Sequence, residues 1–291
     1  MREETLAAET ASSHIDRVLL SPLLVISPIP SSPQEQQEAA VENLPRLPSS
    51  SLLPLSLEMA AAPVVRFPIV LLIRLMGVAA AAMVISWAVH FRGGMSLFSD
   101  NQDLIFNVHP VLMVIGFILL YGEAMLAYKT MSGTKNFKKA VHLTIQFLAL
   151  CLGTIGVWAA VKFHNEKGID NFYSLHSWLG LACLALFSIQ WGIGFSTFWY
   201  PGGSRNSRTF LLPWHVFLGV YIYALAVATA ATGILEKATF LQSTSVISRY
   251  STEAFLVNLL GILLVVLGGF VTLAVVTPAV GKAESYRSGA E

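Results

Sequence analysis

The sequence is poor in charge and in cysteine, and both shortages narrow the classes of protein that it can encode. Charged residues make up 12% of the 291 positions, whereas a soluble globular protein has about 25%. Cys151 and Cys183 lie in the middle of apolar runs, and the sequence has no CxxCH haem-attachment motif and no zinc-binding spacing. The net charge of +1 argues against a nucleic-acid partner. With a hydrophobic fraction of 55% and a mean hydropathy of +0.65, the chain is suited to lipid.

Six apolar runs dominate the chain after its first segment. They lie at about 68–90, 108–128, 142–161, 176–199, 212–233 and 255–277, and each is near the roughly 20 residues that a helix needs to cross a bilayer. Inside lipid a helix satisfies all of its own backbone hydrogen bonds. The sequence therefore predicts an all-α membrane protein with six transmembrane helices.

The two ends of the chain have a different composition. Residues 1–58 are rich in Ser, Pro, Gln and Glu, and such a composition cannot build a core or a span. We predict a disordered N-terminal extension there, with Met59 as a candidate alternative start. Residues 59–280 are predicted to form the transmembrane domain, and residues 281–291 a cytosolic tail.

The basic residues between the runs predict the orientation of the helices. One set of connections is rich in lysine and arginine, and its members are Lys129, Lys135, Lys138, Lys139, Arg205 and Arg208. The opposite connections carry basic residues that acidic residues offset. Because cytoplasmic loops are enriched in lysine and arginine, we predict that the lysine-rich side and both termini are cytosolic.

Four histidines recur at the starts of the second to fifth runs: His109, His142, His176 and His215. In antiparallel helices His109 and His176 then lie near the outer face, and His142 and His215 near the inner face. One such imidazole is most often a hydrogen-bonded packing residue. Four imidazoles in two level-matched pairs favour two bis-histidine haems. Zinc is less favoured because no further Cys, Asp or Glu lies at matching depth.

The six runs, the four histidines and the segment Ser174–Trp178, with the sequence SLHSW, resemble the cytochrome b561 family over about Met59 to Val280. The resemblance implies a four-helix core, formed by helices two to five, that holds two b-type haems. It implies electron transfer from cytosolic ascorbate to monodehydroascorbate or a ferric chelate on the other side. It also implies a homodimer in the vacuolar or plasma membrane.

The resemblance further assigns substrate sites on both faces. On the cytosolic side it implies that Lys135, Lys139 and Arg208 bind ascorbate, with Lys139 as a catalytic residue. The rival interpretation of these residues is ordinary enrichment of positive charge in cytosolic loops. On the outer side it implies that His164 is the catalytic residue at the electron acceptor, with Phe163 and Tyr173 as further binding residues.

Several polar residues near the predicted haems remain open to more than one interpretation. Lys129 matches a family position that pairs with a haem propionate, and snorkelling of its side chain to the interface is the rival account. Asn171 and Ser174 are predicted to offer backbone N–H groups to propionates at a helix start. Arg74 is predicted to snorkel to the inner face, and Glu123 is either a proton-transfer group or a hydrogen-bonding residue between helices.

Two other classes of protein compete with an electron carrier. A transporter would place polar or broken segments near the bilayer midplane, and the sequence offers little of that kind there. A structural membrane protein without haem would use the histidines only for hydrogen bonds. A haem absorption spectrum distinguishes the electron carrier from both alternatives.

Overall fold

The computed structural model describes residues 69–277, and over that range the chain forms six long helices and no strand. The helices are α1 (Ile69–Phe91), α2 (Gln102–Thr130), α3 (Lys135–Lys167), α4 (Leu175–Phe198), α5 (Arg205–Ser243) and α6 (Thr252–Val276). By length and composition each can cross a membrane. The prediction of an all-α, multi-pass membrane protein is confirmed. The predicted N-terminal extension and C-terminal tail lie outside the described residues.

Side-chain caps set where five of the helices begin. The side chains of Asn101, Thr134, Ser174, Ser204 and Ser251 each accept a hydrogen bond from a backbone N–H in the first turn of the helix that follows. These caps satisfy N–H groups that have no partner within the helix. Glycine ends α3, because Gly168 adopts a left-handed conformation with φ of 68° that is easily reached without a Cβ atom.

Helices α2, α3, α5 and α6 are longer than the apolar runs from which they were predicted. Helix α5 has 39 residues and is therefore about 58 Å long, almost twice the ~30 Å thickness of the hydrocarbon layer. It begins at Arg205 and ends at Ser243, whereas the apolar run spans 212–233. A hydropathy pattern identifies only the part of a helix that lies in lipid. The polar ends of a helix, which side chains cap, are therefore absent from the prediction.

The connections divide the bundle into two faces. The three-loop face carries residues 92–101, 168–174 and 244–251, and the two-loop face carries residues 131–134 and 199–204. In the middle of the bundle, side chains of α2, α4 and α5 pack tightly together. Tyr121 and Phe187 have ring centroids 4.7 Å apart, and Tyr121 and Tyr223 have centroids 5.3 Å apart. Both tyrosine hydroxyls donate to backbone carbonyls, those of Gly219 and Ile118, so the polar groups of these two side chains are satisfied within the layer.

A buried ion pair joins α1 to α6 at the three-loop face. Arg92 donates to both carboxylate oxygens of Glu253, and Trp87 Nε1 donates to Glu253 Oε1 at 2.9 Å. The amide of Asn107, on α2, donates to the backbone carbonyls of Arg92 and Gly94. This network therefore fixes the three helices relative to one another.

A second ion pair joins α1 to α2 nearer the two-loop face. Arg74 donates from Nε and Nη2 to the two carboxylate oxygens of Glu123, both at 3.2 Å. The structure thus gives Arg74 a partner where snorkelling alone was expected. It also shows that Glu123 makes a contact between helices, and its alternative role as a proton-transfer group stays a prediction. The two residues are 49 positions apart, which is why their pairing is not visible in the sequence.

We expect Glu253→Ala to destabilise the protein strongly, because it leaves the mostly buried Arg92 guanidinium without its carboxylate. Removal of one partner from a buried ion pair costs about 3–5 kcal/mol. Glu166→Ala is the matched control, since Glu166 pairs with Lys162 across one turn of α3 at a more exposed site, where such pairs contribute about 0.3–0.5 kcal/mol. The measurement is the thermal unfolding midpoint in detergent. Equal midpoints for the two variants would contradict the role given to Glu253.

Candidate functional site

The first histidine pair, His109 of α2 and His176 of α4, lies towards the three-loop face. The two imidazole centroids are 6.0 Å apart. His109 Nδ1 is 3.0 Å from the carbonyl oxygen of Gly156, and His176 Nδ1 is 2.9 Å from that of Thr229. Each ring is therefore held by a neighbouring helix as well as by its own.

The second histidine pair, His142 of α3 and His215 of α5, lies towards the two-loop face. Its imidazole centroids are 6.2 Å apart. His142 Nδ1 is 2.8 Å from the carbonyl oxygen of Ala124, whereas His215 Nδ1 is buried without a hydrogen-bond partner in residues 69–277. The structure thus brings together the same two pairs that the alternation of helix direction predicts, and their role as ligands stays a prediction.

The chemistry of the two pairs fits axial ligation of haem iron. A carbonyl can only accept a hydrogen bond, so the bonded Nδ1 atoms of His109, His142 and His176 carry the proton and leave Nε2 free to bind a metal. Two metal–nitrogen bonds of about 2.0 Å, plus about 1.1 Å from each nitrogen to its ring centre, give a centroid separation of about 6.2 Å. The observed separations match this value.

Each histidine pair offers only two side-chain donors, which fits a metal whose remaining ligands come from a cofactor. Among the described residues there is no group of three or more His, Cys, Asp or Glu side chains that could hold an ion. An ion bound by side chains alone normally needs at least three such donors. A porphyrin supplies the in-plane nitrogens and needs only axial ligands from the protein. Two isolated imidazole pairs therefore suit haem better than zinc.

Glycine makes room for two of the imidazoles. A Cβ atom at Gly233 of α5 would lie 2.5 Å from His176 Cε1, and one at Gly194 of α4 would lie 2.9 Å from His215 Cε1. Such distances are too short for non-bonded carbon atoms. Each pair thus has one ring that packs directly against the backbone of a neighbouring helix.

A cavity of about 340 Å³, within the usual range for small-molecule and cofactor sites, adjoins the first histidine pair. Its walls are mostly apolar and come from all six helices and the connection at 168–174. Of the predicted outer-site residues, Phe163, His164, Asn171 and Tyr173 line it together with His109 and His176. The structure therefore places the predicted acceptor residues beside the first pair.

The polar side chains around this cavity are engaged with one another. Tyr173 donates a hydrogen bond of 3.4 Å to Glu236. Burial, and then the charge and hydrogen bond of Glu236, raise the pKa of Tyr173, so its hydroxyl stays protonated at neutral pH. Asn171 donates to Asn165 at 2.7 Å, and Ser174 caps α4. The propionate role of Asn171 and Ser174 stays a prediction.

At the two-loop face the predicted ascorbate residues lie at the starts of α3 and α5. Lys135 and Arg208 are exposed in the first turns of these helices. Lys139 donates to the carbonyl of Phe198 at 3.0 Å, at the end of α4. Lys129 donates to the carbonyls of Ala274 and Val275 in the last turn of α6, where a cation stabilises a helix terminus. The pairing of Lys129 with a haem propionate stays a prediction, whereas its contact with the end of α6 is observed.

Sequence reasoning missed three residues of the first-pair cavity: Phe106, Glu236 and Lys237. Lys237 Nζ lies 4.0 Å from the centre of the Phe106 ring. Both charged residues follow the apolar run that ends at position 233, in the part of α5 that hydropathy does not mark. These residues could have been predicted only by assuming that the helix continues beyond the apolar run.

Six helices able to span a membrane, around two partly buried histidine pairs, are typical of the class of multi-pass membrane haem proteins. The model for eukaryotic cytochrome b561 matches residues 108–241, a range that contains all four histidines. The chain belongs to the cytochrome b561 family, as the sequence resemblance predicted, and members of this family carry b-type haem.

Named relatives align along most of their length. Transmembrane ascorbate ferrireductase 2 of Arabidopsis thaliana is 68% identical over 74% of this chain and 94% of the relative. A probable ascorbate-specific transmembrane electron transporter 2 of Oryza sativa subsp. japonica is 48% identical over 72% and 90%. A transmembrane ascorbate-dependent reductase of Homo sapiens is 38% identical over 68% and 78%.

We expect Gly233→Ala to lower the haem content of the purified protein, because the new methyl group would displace the His176 ring. The overpacking would also destabilise the fold by about 1–3 kcal/mol. Gly192→Ala is the matched control, since a Cβ atom on Gly192 meets no atom within 4 Å. Haem per chain is measured by pyridine haemochrome absorbance. Full haem content in Gly233→Ala would show that the His176 position does not depend on this contact.

Proposed function

We propose that the protein carries electrons across a membrane from ascorbate at the two-loop face to monodehydroascorbate or a ferric chelate at the three-loop face. His109 and His176 hold one b-type haem, and His142 and His215 hold a second. Haem iron supplies reversible one-electron chemistry when it is bound. The observation that carries the proposal is the presence of two partly buried imidazole pairs, each with the spacing of two axial ligands.

The distance between the pairs supports electron transfer along the bundle. On α2, His109 and the Ala124 carbonyl that binds His142 are 124 − 109 = 15 residues apart, or about 22 Å. On α5, His215 and the Thr229 carbonyl that binds His176 are 229 − 215 = 14 residues apart, or about 21 Å. The two estimates agree, so the pairs lie at two separate depths.

The packing between the pairs favours an electron carrier over a transporter. A transporter keeps polar or unwound segments near the midplane to bind its substrate. Here the layer around Tyr121, Phe187 and Tyr223 is packed, and each tyrosine is at most 2% exposed. No solute can pass this layer without repacking the core, whereas an electron can cross it.

The basic residues of the two-loop face are proposed to bind ascorbate. Lys135, Lys139 and Arg208 begin two neighbouring helices there, and ascorbate is a monoanion that cationic donors recognise through charge-assisted hydrogen bonds. Lys139 is three residues before His142, on the same face of α3. It is therefore the basic group placed to contact both the reductant and the second site.

The cavity at the first pair is proposed to receive the electron acceptor. His164 lines this cavity with Phe163 and Tyr173, and an imidazole can act as a general acid or base for the proton that accompanies electron transfer. Tyr173 remains a hydrogen-bond donor through its contact with Glu236. These residues are proposed to hold the acceptor and manage its proton beside the proposed iron ligands His109 and His176, which line the same cavity.

The placement of the protein in its membrane follows from the same resemblance. The two-loop face, with its lysines and arginines, is proposed to face the cytosol together with both termini. Residues 59–280 are proposed as the functional domain, working as a homodimer in a vacuolar or plasma membrane. The names of the relatives, which include ascorbate ferrireductases and ascorbate-specific electron transporters, support the reductant and the electron-transfer function.

The proposal is tested by the absorption spectrum of the purified protein before and after addition of ascorbate. We expect a reducible b-type spectrum with two haems per chain, and loss of one haem in His142→Ala and in His109→Ala because each loses an axial ligand. His90→Ala is the control, since His90 is exposed and lies in neither pair. A wild-type protein without haem would refute the function, and a His142→Ala protein with two haems would refute the pairing.

We expect Lys139→Ala to slow reduction by ascorbate while reduction by dithionite stays fast, because only ascorbate depends on a cationic binding site. Loss of one charge-assisted hydrogen bond corresponds to roughly 1.5–3 kcal/mol, or about 10-fold to 100-fold in apparent affinity. Lys138→Ala is the control, since Lys138 donates to the carbonyl of Tyr128 and is not assigned to the site. Stopped-flow absorbance provides the rates, and equal ascorbate kinetics in the two variants would remove Lys139 from the site.

A further inference from the structure

The first-pair cavity contains a cationic group that the proposed function does not use. Of the residues that line the cavity, only Lys237 and Glu236 carry a formal charge. Lys237 is partly buried, and its ammonium lies over the face of Phe106, in the geometry of a cation–π contact. The cavity is thus largely apolar, with one ammonium and one carboxylate on its wall.

The acidic side chains near Lys237 are occupied by other partners. Asp103 pairs with Lys167 at 3.5 Å, Glu253 is bound by Arg92 and Trp87, and Glu236 accepts the hydrogen bond from Tyr173. Among residues 69–277, no carboxylate lies within 4.0 Å of the Lys237 ammonium. A partly buried cation without a counter-ion is unfavourable, so an anion in the cavity would be stabilised there.

Lys237 is also positioned on the side of α5 that faces the first histidine pair. It is 237 − 233 = 4 residues after Gly233, whose backbone packs against His176, and residues four apart share a helix face. An anion held by Lys237 would therefore lie in the same cavity as His176 and His164.

We propose that Lys237 is the anion-binding residue of the first-pair cavity and holds a carboxylate or a comparable anion. Two sources have this chemistry: a propionate of the haem at the first pair, and a negatively charged electron acceptor. The proposal rests on the proposed function, because both ligands presuppose a haem between His109 and His176.

The test compares Lys237→Gln, which removes the charge, with Lys237→Arg, which keeps it, in the full-length haem-loaded protein. Lys237→Met retains the apolar stem and serves as a second neutral variant if the glutamine variant does not accumulate. Lys162→Gln is the matched control, because Lys162 lies near the same face, pairs with Glu166 and does not line the cavity. Wild-type protein is first shown to bind haem and to be reduced by ascorbate, so that failure of the proposed function is seen separately.

The first arm measures reoxidation of the reduced protein at low salt by ferricyanide, an anion, and by hexaammineruthenium(III), a cation. If the ligand is the acceptor, the neutral variants should react with ferricyanide about 5-fold to 10-fold more slowly than wild type. Their rate of reoxidation by the cationic oxidant should not fall. Lys237→Arg and Lys162→Gln should retain the wild-type preference.

The second arm measures haem content and the reduction potential of each haem by potentiometric titration. If the ligand is a haem propionate, the neutral variants should lose haem or show a lower potential at one haem only, because a positive charge beside a haem favours its reduced state. The preference between the two oxidants should then be unchanged. Wild-type behaviour of a neutral variant in both arms, or an equal effect in Lys162→Gln, would overturn the proposal.

Discussion

The architecture depends on how imidazole rings are satisfied inside an apolar bundle. A buried polar nitrogen without a partner is unfavourable, and three of the four histidines bind a backbone carbonyl of a helix other than their own. These contacts join α2 to α3 and α4 to α5. Because Nδ1 carries the proton in each of these three rings, Nε2 remains free as an acceptor. The same hydrogen bonds that stabilise the bundle are thus compatible with the proposed binding of a metal through Nε2.

Helices α1 and α6 carry no paired histidine, and ion pairs attach α1 to the rest of the bundle. Helix α1 is joined to α6 by Arg92 and Glu253 and to α2 by Arg74 and Glu123, one pair towards each face. Ion pairs inside a membrane protein are expensive unless both partners are present, so they hold a specific arrangement of helices. The packed layer of Tyr121, Phe187 and Tyr223 then separates the two faces. Together these features allow each face to have its own chemistry while solutes stay on their own side.

The site could be predicted from the sequence only as far as its residues carry local signals. The pairing of His109 with His176 and of His142 with His215 follows from helix direction, and the structure places these rings 6.0 Å and 6.2 Å apart. The contact between Arg74 and Glu123 does not follow from any local pattern. Lys237 was missed because hydropathy ends the fifth run at position 233, although the helix continues to Ser243.

The sequence alone determined the number of spans, the helical class and the level of each histidine, because lipid leaves a spanning backbone few options and because helix direction alternates along the chain. It also determined the family, through the histidines and the SLHSW segment. The tertiary structure decided which carbonyl binds each imidazole, that His215 Nδ1 has no partner among the described residues, and that Lys237 lines the first-pair cavity. These features depend on rotation of each helix about its axis and on contacts between distant residues, such as the 161 positions between Arg92 and Glu253.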